Sequence, residues 1–101
     1  MLYLTQLIFL KPGAESAFHE FEAQAIPIIG RYGGTLMLRI RPSAETVIEV
    51  GLEELPYEIH LVSFPSLNAF EEFKKDEERK SFLHLKEASI RAMLLIAGKA
   101  V

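Results

Sequence analysis

Tyr57-Glu-Ile-His-Leu-Val-Ser-Phe64, then Pro65-Ser66, then Leu67-Asn-Ala-Phe-Glu-Glu-Phe-Lys-Lys-Asp76, reads as a strand handed directly into a helix. Residues 57–64 are mostly apolar, aromatic or β-branched, which suits a pleated surface. Pro65 biases Phe64 toward extended geometry and cannot continue a central ladder. Ser66 stands where a helix N-cap belongs, its hydroxyl free to accept a backbone N–H of the first turn. Leu67, Phe70 and Phe73 follow as a stripe that packs back on a sheet.

Upstream, residues 2–10 are a near-continuous apolar run ended by Pro12-Gly13, the pattern of a strand covered on both faces. Residues 14–31 predict a helix with Ala17, Phe18, Phe21, Ala25, Ile28 and Ile29 on its apolar side and Glu15, His19, Glu22 and Gln24 mainly on the other. Pro27 predicts a kink or a second short helix there, and Gly33-Gly34 supply the C-cap. Residues 35–41 alternate strictly. Leu36, Leu38 and Ile40 are expected under the helices, and Thr35, Met37, Arg39 and Arg41 on the opposite face. Thr46 to Val50 is expected to be a short return strand.

Downstream, the charged run from Lys74 to Lys80 reads as a solvated helix end or connector. Phe82, Leu83, Leu85 and Ala88 suggest a short helix, and residues 91–97 a last strand buried on both faces. The order strand, helix, strand, strand, helix, strand predicts an α+β, ferredoxin-like β-α-β-β-α-β chain with an antiparallel sheet, one domain over 1–101. Half the residues are hydrophobic, including seven Phe and three Tyr, which for 101 residues calls for a second buried surface. The economical cover is the same sheet face of another copy, a homodimer.

Composition narrows the chemistry. With no cysteine there is no disulfide, thiolate metal site or cysteine nucleophile, and a reducing, cytoplasmic location fits. A net charge of −3 without a basic run argues against nucleic acid. The apolar amino terminus lacks a positive n-region, so it reads as a strand rather than a signal peptide, and no apolar run is long enough to span a bilayer. His19, His60 and His84 lie far apart, so neither a metal nor another cofactor is expected. There is no phosphate loop and no nucleophile elbow.

The candidate catalytic residues are His60, a titratable ring in mid-strand, and Arg39, able to hold a carboxylate or enolate. Tyr57, Gln6 and Tyr3 are the candidate substrate-binding residues. If Phe64 packs on the helices, His60 shares its face, and Tyr57 is expected to take the pocket role. His84 is the alternative residue for a haem.

Lys11-Pro12-Gly13 after the first strand, Pro27, Arg31-Tyr32-Gly33-Gly34, and Phe64-Pro65-Ser66 together resemble the dimeric α/β-barrel superfamily. The Tyr-Gly-Gly and Phe-Pro-Ser signals look most like its small domain-of-unknown-function family, and Lys-Pro-Gly with Tyr-Gly-Gly like the NIPSNAP branch. The chain departs from the former where Val50-Gly51 replaces an acidic residue before glycine, and where Asp76-Glu77-Glu78-Arg79 replaces Asp-Pro-Glu-Tyr. The resemblance implies a cofactor-free enzyme of monooxygenase or isomerase type on a small aromatic or enolisable substrate. The alternatives it leaves are a non-catalytic ligand-binding or structural dimer, and a haem-binding or haem-degrading protein.

Overall fold

A computed structural model describes all 101 residues. Strands β1 (Leu2–Leu10), β2 (Thr35–Ile40), β3 (Glu58–Phe64) and β4 (Ile90–Gly98) form one antiparallel sheet in the order β2-β3-β1-β4. Helices α1 (Glu15–Ile29), α2 (Leu67–Lys74), α3 (Glu77–Lys80) and α4 (Leu83–Ser89) cover one face. The result is a ferredoxin-like slab of 36 × 35 × 17 Å, two layers thick. No helix is long and apolar enough to cross a membrane.

The junction after β3 forms as its local chemistry dictates. Ser66 is extended, and its Oγ accepts from Ala69 N at 3.1 Å. Leu4, Ile28, Ile29, Val62, Phe64 and Phe73 make a core between sheet and helices, while Leu67 stays exposed. A short 3-10 turn, Gly30–Tyr32, closes α1, with Gly33 at φ 74. Gly34 is required by space: a Cβ there would lie 2.6 Å from Ile29 Cγ2 and 2.7 Å from Phe64 Cε1.

Four expectations need correction. Helix α1 runs unbroken through Pro27, so no second helix starts there; Pro27 sits exposed in the last turn, and the carbonyl it leaves without a donor belongs to exposed Ala23. Residues 46–50 form no strand: Thr46 N bonds Ser43 O, and Thr46 Oγ1 accepts from Ser43 N, so the segment begins as a turn. Strand β4 is an edge strand, as β2 is, and in the single chain it is exposed along most of its length rather than buried on both faces.

Strand β2 departs furthest from its expected alternation. Leu36 pairs with Val62, but Leu38 pairs with Leu61, Arg39 with His60 and Ile40 with Ile59. Met37 is therefore the extra residue of a β-bulge. One inserted residue exchanges the faces of everything after it. Arg39 moves to the helix side with His60, and Leu38 and Ile40 move to the open face, each more than 40 % exposed (47 % and 44 %).

Candidate functional site

The helix-side face carries Leu4, Gln6 and Ile8 on β1 opposite Val62, His60 and Glu58 on β3. Glu58 and His60 are buried, 1 % and 3 % exposed. Bare, such a carboxylate would be forbidding to bury. Here Arg39 donates Nε–H to Oε1 at 2.7 Å and Nη2–H to Oε2 at 3.1 Å, and Arg41 donates Nη2–H to Oε2 at 2.5 Å. His60 Nε2 lies 2.8 Å from Oε1. Burial alone pushes Glu58 up, but the bonds from Arg39, His60 and Arg41 overcome it and hold the carboxyl down at about 2. An ionised carboxylate only accepts, so His60 Nε2 carries the proton and only Nδ1 is left for a ligand.

A cavity of about 130 Å³ opens beside this cluster, between sheet and helices. That is close to the roughly 150 Å³ of an engineered cavity that takes benzene. Phe21, Ile29, Leu36, Phe64 and Phe73 supply apolar wall. Five polar side chains border it: Gln6, Glu22, His60, Arg79 and Lys86, with Lys74 at its rim. Gln6 donates its amide to Met93 Sδ.

Glu22 is the group that the expected polar face of α1 misplaces. It lies four residues after Phe18 and three before Ala25, on the helix's buried stripe, and is 7 % exposed. Burial pushes its carboxyl up from 4.5 to about 7; Arg39 opposes this, Glu58 adds to it, and Arg79 and Lys86 pull down. These charges act through space, since no protein group hydrogen-bonds the Glu22 carboxyl.

Arg79 comes from the charged run expected to be solvated. Asp76 caps α3 by accepting from Arg79 N at 2.9 Å, and Tyr32 O–H donates to Asp76 Oδ2 at 2.6 Å. Arg31 adds ion pairs to Asp76 and Glu78. This clamp turns Arg79 inward, its guanidinium 4.9 Å above the Phe73 ring, with Nε buried and without any hydrogen-bond partner. Burial lowers the pKa of Arg79; it also lowers that of Lys86, where the Arg79 charge adds to the effect.

The other candidates lie elsewhere. Arg39 reaches the site through Glu58 and does not line the cavity. Tyr57, just before β3, turns to α1: its hydroxyl is 2.6 Å from His19 Nε2, and Arg41 sits over its ring at 5.0 Å. It does not line the cavity beside His60 and borders instead an open hollow with Phe9, Pro12 and Arg91. Tyr3 is on the opposite, open face with Thr5, Leu61 and Ile96. His84 is exposed on α4, and no group of three or more His, Cys, Asp or Glu is placed to hold a metal.

No family model matches the chain, and no curated protein matches it. Solved structures do. A protein of unknown function from Rhodopseudomonas palustris superposes with TM-score 0.83 at 18% identity, over 99% of this chain and 82% of that one. A NIPSNAP-family protein of unknown function from Agrobacterium tumefaciens gives 0.71 at 21%, over 99% and 87%. A structure described as an antibiotic biosynthesis monooxygenase gives 0.73 at 14%, over 100% and 99%. These likenesses are of fold, and they include the NIPSNAP branch that the sequence signals resemble.

Proposed function

We propose that the chain is a cofactor-free enzyme that moves a proton on a small aromatic or enolisable substrate held between sheet and helices. Glu22 takes the proton from the carbon beside a carbonyl, or from a phenol. The bonding pair moves onto oxygen, and Arg79 and Lys86 hold the enolate or phenolate. Returning the proton to a different carbon completes an isomerisation in which nothing is oxidised. His60 and Gln6 are left to hydrogen-bond the substrate, and Arg39 positions His60 through Glu58. What supports this most is Glu22 itself: a buried, unpaired carboxyl in an apolar cavity, opposite two cations whose charge is not otherwise used there. The fold is shared with a structure described as an antibiotic biosynthesis monooxygenase.

Solvent-deuterium exchange followed by proton NMR tests this on a panel of small ketones that carry an acidic C–H. The wild type should speed exchange at the acidic position, and Glu22→Gln should remove roughly 10²–10⁴ of that acceleration. A wild type no faster than buffer across the panel sinks the enzyme and leaves a binding cavity.

The open sheet face supports the homodimer. Leu38 and Ile40 on one edge strand and Leu94 and Ile96 on the other are each 44–51 % exposed there, on a 17 Å slab. A second copy of the same face would cover it, and interfaces of this kind bury roughly 1,200–2,000 Å². Sedimentation at micromolar concentration should give twice the 11.4 kDa chain mass; a single species of chain mass rules the dimer out. The cysteine-free sequence supports the cytoplasm as its compartment.

A further inference from the structure

We propose that the cavity takes its ligand as a small monocarboxylate, with the carboxylate seated on Arg79 and Lys86 and the apolar body against Phe21, Phe64 and Phe73. This rests on the cavity being a small-molecule site and adds the charge of what enters it. The first support is Arg79 Nε, a buried donor with no acceptor in the chain. Buried donors are nearly always paired, and leaving one unpaired costs more than the bond itself is worth. A planar oxyanion is the acceptor a guanidinium fits best.

The second support is the balance of charge around the cavity. From α1 comes Glu22; from β1 only neutral Gln6; from β3, Glu58 and His60; from β2, Arg39. Glu58 is already occupied by Arg39, Arg41 and His60. Lys74 of α2 is half exposed and pairs with Glu71 at 3.2 Å. Asp76, which also acts on Arg79 through space, is taken by Tyr32 and Arg31. Glu87, next to Lys86 on α4, acts on it more weakly than Glu22 does, so within the cavity wall Arg79 of α3 and Lys86 of α4 face Glu22. Two cations against one carboxyl leave the cavity with excess positive charge, which a carboxylate reduces. A neutral ligand would leave it uncompensated. A volume of about 130 Å³ limits the body to about one ring.

Seating an anion beside Glu22 disfavours its ionised form, so binding takes up a proton once Glu22 has begun to ionise. Affinity should be flat below pH 7 and fall above it, toward tenfold per pH unit.

Phenylacetate and phenylacetamide, nearly equal in shape, are the probes, titrated into nitrogen-15-labelled protein. At pH 6.5 the acid should bind at least about tenfold more tightly than the amide, a difference that Arg79→Met and Lys86→Met each erase. Between pH 6.5 and 8.5 the wild type should weaken toward the acid by about tenfold or more, and Glu22→Gln should not. If Arg79→Met does not fold, Lys86→Met and the wild-type pH profile still decide. An amide bound as well as the acid, or a pH-independent affinity for the acid, overturns the carboxylate preference while leaving a small-molecule cavity in place. If neither probe shifts the cavity resonances, this inference and the small-molecule cavity fall together.

Discussion

Glu22→Gln should make the protein more stable at pH 8, by roughly 3 kcal/mol, while costing it proton-transfer activity. The carboxyl titrates at about 7 in the fold against an ordinary 4.5. At about 1.4 kcal/mol per unit, the wild type loses that stability as it is forced to ionise inside the cavity. The sign follows from proton counting. The native state holds a proton that the unfolded chain has released, so stability is fully present below pH 4.5, declines as pH rises, and is lost above 7. Glutamine has the same shape and nothing to ionise. Urea unfolding at pH 5 should therefore give nearly equal free energies for the two proteins, and unfolding at pH 8 should separate them. Parallel pH profiles would mean that Glu22 ionises without strain and has no special claim to the chemistry. The predicted result is instead a group kept at a cost to the fold, as functional acids and bases are.

The elements set by local chemistry were legible in the sequence. The β3–α2 junction needs only Pro65, the Ser66 hydroxyl and the Phe stripe, all within a few residues of one another. The turn at Tyr32-Gly33-Gly34 needs a left-handed residue followed by one without a side chain. What depends on distant partners was not legible. The alternation of residues 35–41 is unbroken, so nothing in it marks Met37 as a bulge. Only pairing with β3 reveals it, and every later face assignment on β2 inverts. Glu22 did leave a signal, because Phe18, Glu22, Ala25 and Ile29 lie at the spacing of one helix face. Read as a position rather than as a charge, it belongs to the core. Arg79 left none: inside seven consecutive charged residues, its inward turn depends on a cap held by Tyr32 from another part of the chain.

Glu58→Gln should destabilise the protein at pH 7 by about 3–5 kcal/mol, the cost of removing one partner from a buried ionic cluster. For a chain of this size that is a Tm drop of roughly 15 °C or more. The size of the effect comes from asymmetry within the cluster. Glu58 is 1 % exposed, whereas the side chains of Arg39 and Arg41 are 34 % and 48 % exposed. Remove either arginine and the other still neutralises the carboxylate, with water reaching the rim. Replace the carboxylate by an amide and two guanidinium groups are left side by side without a counter-charge, with the amide NH2 facing their donors and one remaining oxygen to serve both Arg39 Nε and His60. Arg39→Met should thus cost clearly less than Glu58→Gln. The pH dependence has the opposite sign to that of Glu22. The native state holds Glu58 at about 2 against an ordinary 4.5, so its stabilisation is fully present above 4.5 and is lost as pH falls toward 2. Wild type should weaken relative to Glu58→Gln through that window in urea titrations. Equal costs for Glu58→Gln and Arg39→Met, with no difference in acid sensitivity, would show that the cluster is an ordinary surface ion pair. In that case it would not be the anchor that aims His60 into the cavity.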